Sequence, residues 1–323
     1  MTDIAMIEAA AKRLAGHARI TPLLNAPLLD RIAGRRVFVK AECLQWTGSF
    51  KYRGGWSAVS ALTAAQRAQG VIAFSSGNHA QGVALAAAQH GAPAVIIMPS
   101  DAPQVKITNT RAYGAEVVLY DRATTDRDAL GADLAAARGL TLIKPFDDPQ
   151  VIAGQGSIGL EIACQARDAG LTGGTVITCC GGGGMTAGIA LALAARAPQL
   201  VIRTAEPAGF DDTARSLISG RVERNARMTG SVCDAILTPQ PGDITFPILQ
   251  RLCGPGLVVT DDQALQAMAL AFTHLRLVLE PGGAVALAAA LFCADLPDTV
   301  ICTASGGNVD AAVFADALQR YVT

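Results

Sequence analysis

The feature that most restricts this chain is the alternation of two kinds of segment. Short apolar, β-branched runs are separated by longer alanine-rich stretches. The runs are Val37–Lys40, Val71–Phe74, Ala94–Met98, Glu116–Tyr120, Thr141–Ile143, Thr175–Cys179, Val201–Glu206, Leu257–Val259 and Thr299–Thr303. Helical patterns such as Gln81–His90, Val151–Ala169, Met185–Ala195 and Asp262–Leu277 lie between them. Strands this apolar must be covered on both faces, and strands joined through helices run parallel. The expected fold is therefore α/β, with open parallel sheets in αβα layers. The units from Val71 to about Phe146 are expected to form one sheet, and Val151 onward another. No flexible linker separates them, which an inserted domain would explain.

Composition narrows the class. The chain has 323 residues, enough for roughly two domains. It is 51% hydrophobic and only 16% charged, against about 25% charged in an average soluble protein. That excludes a disordered chain and implies a heavily buried body. The net charge of −1 provides no basic field for nucleic acid or acidic lipid. Eight cysteines without a C-x-x-C pair read as free thiols, not as a disulfide frame or zinc site. The N-terminus lacks a basic start followed by an apolar core. The longest apolar stretch, Gly282–Ala294, falls short of the ~18 residues of a membrane helix. A cytoplasmic protein with no membrane or nucleic-acid partner is expected.

Four loops stand out. Thr47-Gly48-Ser49-Phe50-Lys51-Tyr52-Arg53-Gly54-Gly55 places one of the few lysines (the others are Lys12, Lys40, Lys106 and Lys144) among aromatic residues and glycines. A desolvated amine there could form an imine; a surface lysine at a helix start is the plainer reading. Ser75-Ser76-Gly77-Asn78-His79 directly follows a strand, where parallel sheets bind ligands. Its amides and hydroxyls suit an anion, or simply cap the next helix. Cys180-Gly181-Gly182-Gly183-Gly184-Met185 precedes a helix. Four glycines are costly unless the backbone must wrap an anion closely, and the pattern is not a nucleotide P-loop. Ala304-Ser305-Gly306-Gly307-Asn308 brings a hydroxyl to another strand end.

Together, and in this order, these segments resemble the fold-type II pyridoxal-phosphate enzymes, within the tryptophan-synthase-β-like fold. The resemblance is closest to the threonine/serine dehydratase and serine racemase group. It runs from Thr21-Pro22-Leu23 to Asn308. It implies a large cofactor-binding domain of residues 1–68 and 148–323, and an inserted domain, 69–147, that closes over substrate. It implies that Lys51 holds pyridoxal 5'-phosphate as an imine and also acts in catalysis. By the same resemblance Gly181, Gly182, Gly183, Gly184 and Met185 bind the phosphate, Asn78 the ring hydroxyl, and Ser305 the pyridine nitrogen. Phe50 packs beside the ring, and Glu280 stands near the cofactor. Ser75, Ser76, Gly77, Asn78 and His79 hold the substrate carboxylate.

Further roles follow from the same resemblance. Ser76 occupies the place of a second-face acid/base in racemase-like members; binding carboxylate or capping the helix is the alternative. Arg127 aligns with an arginine that meets a distal substrate carboxylate, the alternative being a solvated helix charge. Glu206, Asp212 and the Phe210 carbonyl resemble a Mg²⁺ or Ca²⁺ loop, hard cations preferring oxygen ligands; a solvated acidic helix start is the alternative. The implied activity is a dehydratase (ammonia-lyase) that converts L-threonine, L-serine or a related β-hydroxy amino acid to a 2-oxo acid and ammonia. Serine or aspartate racemisation and 3-hydroxyaspartate dehydration are alternatives on the same scaffold. Phe146 and the stretch Thr238–Asp243 depart from the racemase pattern. A non-catalytic sensor of a phosphate ligand is the alternative of another class, and Lys51 discriminates, since a sensor needs no imine-forming lysine. The family also implies a homodimer or homotetramer. With the sequence ending at Thr323, feedback through a C-terminal regulatory domain is not expected.

Overall fold

The computed structural model describes residues 2–322 apart from 76, 103 and 122. Among the described residues, ten strands form two sheets. They are β1 (Leu23–Asn25), β2 (Arg36–Lys40), β3 (Val71–Phe74), β4 (Ala94–Pro99), β5 (Glu116–Tyr120), β6 (Thr141–Leu142), β7 (Gly174–Cys179), β8 (Leu200–Pro207), β9 (Leu257–Val259) and β10 (Thr299–Thr303). The larger sheet has the order β1-β2-β10-β7-β8-β9 and the smaller β5-β4-β3-β6. Every pairing is parallel except β1 with β2. The larger sheet takes β1 and β2 from upstream as well as the strands after Val151. Residues 71–142 supply the whole of the smaller one.

The predicted strands all form, with ends moved by a residue or so. The exception to prediction is β1, an antiparallel edge whose three residues are too few to show a period. Central strands are buried on both faces, as in β7 and β10, which is why they read as unbroken apolar runs. Helix Pro281–Phe292 is apolar all round and wholly buried through Leu291, a pattern that belongs inside a protein. It packs along β7, β8, β9 and β10. Helix Pro149–Asp168 begins where Asp148 accepts from the amides of Gln150 and Val151, with proline at its tolerated first position.

The sequence offers a helix start at Lys51 but not the extent of helix Lys51–Ala61, because Gly54 and Gly55 weaken its intrinsic propensity. Packing decides instead. A Cβ on Gly55 would lie 2.9 Å from the Gly82 carbonyl oxygen, and one on Gly54 would lie 2.4 Å from Gln155 Nε2. The glycines let this helix press directly against helices Asn78–Gln89 and Pro149–Asp168, wedging it between the two sheet units.

A buried ionic network locks the wedge. Arg53 Nε and Nη2 donate to Glu42 at 2.8 Å each, and Nη1 donates to Glu161 Oε1 at 2.6 Å. Lys40 Nζ donates to Glu161, to the Thr21 carbonyl at 2.7 Å and to Gln165 at 2.9 Å. The two acids hold the Arg53 guanidinium charged against its own desolvation. Removing one member of such a cluster strands the others unpaired in a low-dielectric interior. Arg53→Met should therefore lose about 3–5 kcal/mol of stability in urea unfolding; a loss below about 1 kcal/mol, the range of an exposed pair, would show the network is not structural.

Candidate active site

The carboxyl ends of β2, β3, β6, β7 and β10 point toward one cleft between the sheets. It encloses a cavity of about 1120 Å³. Lining it are Phe50, Lys51, Ser75, Gly77, Asn78, His79, Arg127, Gly181, Gly182, Gly183, Gly184, Met185, Glu280 and Ser305. Every described residue assigned above to cofactor or substrate thus faces a single space, although the chain positions span from 50 to 305. Ser76 lies outside the described residues. The predicted cation residues Glu206, Phe210 and Asp212 stand apart, at the end of β8 and the start of helix Asp212–Ser219.

Lys51 opens its helix at the floor of the cleft. Its Nζ donates to the Pro145 carbonyl at 2.7 Å and lies 5.1 Å from the Phe50 ring centroid. Burial alone pushes the amine down to about 8, because an ammonium loses hydration there. The cleft thus provides the desolvated amine that the aromatic and glycine-rich setting suggested.

The glycine run is a cradle that larger side chains would fill. A Cβ on Gly182 would meet the Phe146 ring at 2.3 Å, and one on Gly184 would lie 2.8 Å from the Phe146 carbonyl oxygen. Gly183 sits at φ +87, a left-handed conformation that favours glycine. Helix Gly184–Arg196 begins here, and first-turn amides have no intrahelical acceptor. Thr238 Oγ1 nearby is buried without a partner. Amides, an orphaned hydroxyl and a helix N-terminus suit a phosphate.

Asn78 and Glu280 join the two units across the cavity. The Asn78 amide donates to Glu280 Oε1 and accepts from Asn308 Nδ2 at 2.7 Å. Glu280 is pushed up to about 7, mainly by burial, against the opposing pull of Lys106 and of the Asn78 hydrogen bond. Its second oxygen is buried with no hydrogen-bond partner. Ser305 is buried on the same wall. His79 is held neutral, its pKa pushed down to about 3 by burial and then by Lys51. Its Nε2 faces the Ile143 carbonyl at 2.9 Å; a carbonyl only accepts, so Nε2 carries the hydrogen and Nδ1 a lone pair. His79 can therefore hold an anion through its backbone N–H alone. Arg127 stacks over Phe74, 5.5 Å from the ring centroid.

The cation residues are buried, which removes the solvated-helix-start alternative. Glu206 accepts from the amides of Thr213 and Ala214 at 2.9 and 2.7 Å. Burial, then repulsion from Asp212, raises it well above the carboxylate range. Asp212 is pushed up to about 7 by burial, and its Oδ2 has no partner. No group of three or more His, Cys, Asp and Glu side chains able to hold a metal occurs among the described residues; this pair would need carbonyl oxygens as well. Sequence reasoning missed the site roles of Lys106 and Asp234. Lysine scarcity was the one available signal for Lys106, and a lone aspartate in a loop gives none.

The sequence matches the family described as Pyridoxal-phosphate dependent enzyme over residues 14–308. The chain is 41% identical over 314 residues to an L-threo-3-hydroxyaspartate ammonia-lyase of Pseudomonas sp, covering 96% of each. It is 35% identical to a serine racemase of Arabidopsis thaliana, covering 98% of this chain and 96% of the relative. Among solved structures, a threonine deaminase of T.th. superposes with a TM-score of 0.90 at 44% identity, covering 95% of this chain and 99% of that one. Maize serine racemase superposes at 0.91 with 33% identity, covering 99% and 97%. The chain belongs to the pyridoxal-phosphate dependent enzyme family, and its two parallel sheets are the fold-type II architecture.

The lowered amine makes a direct prediction. The neutral form of Lys51 reacts with aldehydes, so its labelling in the cofactor-stripped protein should rise through pH of about 8. Mass spectrometry of reductively methylated peptides across pH measures this. A midpoint near the ordinary lysine value of about 10.4 would contradict the desolvated site.

Proposed function

We propose that this protein is a pyridoxal-phosphate-dependent ammonia-lyase that eliminates water from a small L-β-hydroxy amino acid, threonine or serine first, giving a 2-oxo acid and ammonia. The observation that carries this is the buried Lys51 amine, set between the glycine cradle and the loop of Ser75, Gly77, Asn78 and His79. Its eight free cysteines suit a reducing, cytoplasmic setting.

The cradle and the orphaned Thr238 hydroxyl fit the phosphate of pyridoxal phosphate, and the desolvated Lys51 amine fits its aldehyde. Lys51 would hold it covalently, with the amides of Gly181, Gly182, Gly183, Gly184 and Met185 on its phosphate. Asn78, Glu280 and Ser305 would line the ring, and Phe50 would pack beside it. When bound, the cofactor supplies an electron sink conjugated to the substrate α-carbon. Helix Asn78–Gln89 directs its N-terminal amides at the substrate carboxylate. Lys51 Nζ would be placed to take the α-proton; an amine near 8 is matched to that task at neutral pH. Ser305 offers a hydroxyl without a charge, so the ring nitrogen is not forced to carry a proton. Closure of residues 69–147 over the large domain would exclude water from the cleft.

A second reading, 3-hydroxyaspartate dehydration, is favoured by Arg127 on the cavity wall and by the name of the Pseudomonas relative. Phe146, packed on the glycine cradle, adds an apolar surface that suits threonine. Purified protein should release 2-oxo acid from L-threonine or L-serine without scrambling the chirality of residual substrate. Turnover confined to 3-hydroxyaspartate, and lost in Arg127→Ala, would transfer the assignment to the second reading. Scrambled chirality would make it a racemase and direct attention to Ser76. Cofactor-independent ligand affinity in Lys51→Ala would support a sensor instead.

We infer also that Glu206, Asp212 and the Phe210 carbonyl take Mg²⁺ or Ca²⁺. Two mutually repelling buried carboxyls, one with a bare oxygen, are stabilised by a hard cation. Adding Ca²⁺ should raise Tm in the native chain and not in Asp212→Asn; equal behaviour of the two would refute the site.

A further inference from the structure

Lys106 is a buried lysine for which the reaction outlined above has no use. It belongs to helix Gln104–Ala112, which follows β4 and packs on helix Asn78–Gln89. Its Nζ lies 3.7 Å from Glu280 Oε2 and 3.6 Å from Asp234 Oδ2. Glu280 caps a helix of the large unit, and Asp234 begins a short turn on the opposite wall. The aliphatic part of Lys106 passes over Gly77: a Cβ there would lie 3.1 Å from its Cδ and 3.3 Å from its Nζ. One side chain therefore touches the loop after β3 and two carboxyls across the cleft.

We propose that Lys106 is a positioning residue that clamps the loop after β3, fixing Gly77 and Asn78 against Glu280 and Asp234 of the large unit. The proposal rests on the assignment of that loop to the substrate carboxylate. Glu280 completes the coupling, because its other oxygen accepts from Asn78, the residue after Gly77. Losing the Lys106 charge would leave the buried Glu280 carboxyl without its cation. It would then take up a proton more readily, and a carboxylic acid can donate where a carboxylate only accepts. The Asn78 contact would weaken and the loop would loosen at the same time.

The geometry disfavours two other roles. Lys106 Nζ is engaged by two carboxyl groups, so Lys106 is a poor rival to Lys51 as the imine-forming group. Its charge is also already matched by acids, which leaves a distal carboxylate on a substrate to Arg127.

The test is Lys106→Met, which keeps the packing over Gly77 and deletes the charge. In the full-length protein, hydrogen exchange at the amides of residues 77–79 should quicken, while peptides from β7 and β10 stay unchanged. KM for the amino-acid substrate should rise roughly tenfold, mid-range for a broken coupled contact, with kcat within about twofold. Lys106→Arg should recover most of both effects. Unchanged exchange at 77–79 in Lys106→Met overturns the clamp. Faster exchange with unchanged KM supports the clamp and instead removes the carboxylate from this loop, so the two failures are distinguishable. Should Lys106→Met not fold, Asp234→Asn, at a half-exposed partner, gives the same reading at smaller amplitude; unchanged exchange there also overturns the proposal.

Discussion

A lysine amine taken out of water is the constraint from which the rest of this structure is understood. Lys51 is useful because its charge is costly in the cleft, and the amine stays desolvated only if its helix is held tightly between two sheets. Gly54 and Gly55 permit that approach. Arg53, two residues along, anchors the helix from the other side through Glu42 and Glu161. A destabilised amine thus sits on a heavily braced element. That distribution is expected where a functional group is held in an unfavourable state and its surroundings must compensate.

The second constraint is directional. Parallel strands all present their carboxyl ends on one side, so two parallel sheets that face one cleft gather their loops in it. The cradle after β7, the loop after β3 and the Ser305 loop after β10 meet there without being near in sequence. Polar contacts that cross the cleft include Asn78 to Glu280, Asn308 to Asn78, Lys51 to the Pro145 carbonyl, and Lys106 to Glu280 and Asp234. Polar crossings can open and reform at modest cost, whereas helix Lys51–Ala61 is tied to the smaller sheet's unit by an apolar cluster that includes Tyr52, Trp56, Val59, Val83 and Ile96.

Much of this was legible in the sequence for identifiable reasons. Strands buried on both faces leave an unbroken apolar signature, so β3 and β10 could be read to the residue; β5 and β9 lie at sheet edges and were legible from their β-branched runs. The glycine run was legible because four glycines are costly unless the backbone wraps a ligand, and the Lys51 motif became legible only in company with the other three loops. β1 was too short to carry a period, and the extent of helix Lys51–Ala61 was concealed by the glycines that allow its packing. Lys106, Asp234 and the Arg53 network depend on residues distant in sequence, so their pairing exists only in three dimensions. The ionisation of His79 was equally hidden, since it follows from burial and from the Ile143 carbonyl.

The central claim is that Lys51 carries the cofactor. Three lysines, Lys51, Lys106 and Lys144, line the same cavity, so chemistry can choose among them. Borohydride reduction of the pyridoxal-phosphate-loaded protein followed by peptide mass mapping reads the choice directly. The account predicts a single pyridoxyl adduct, on Lys51. An adduct on Lys106 or Lys144, or none at all, would contradict it.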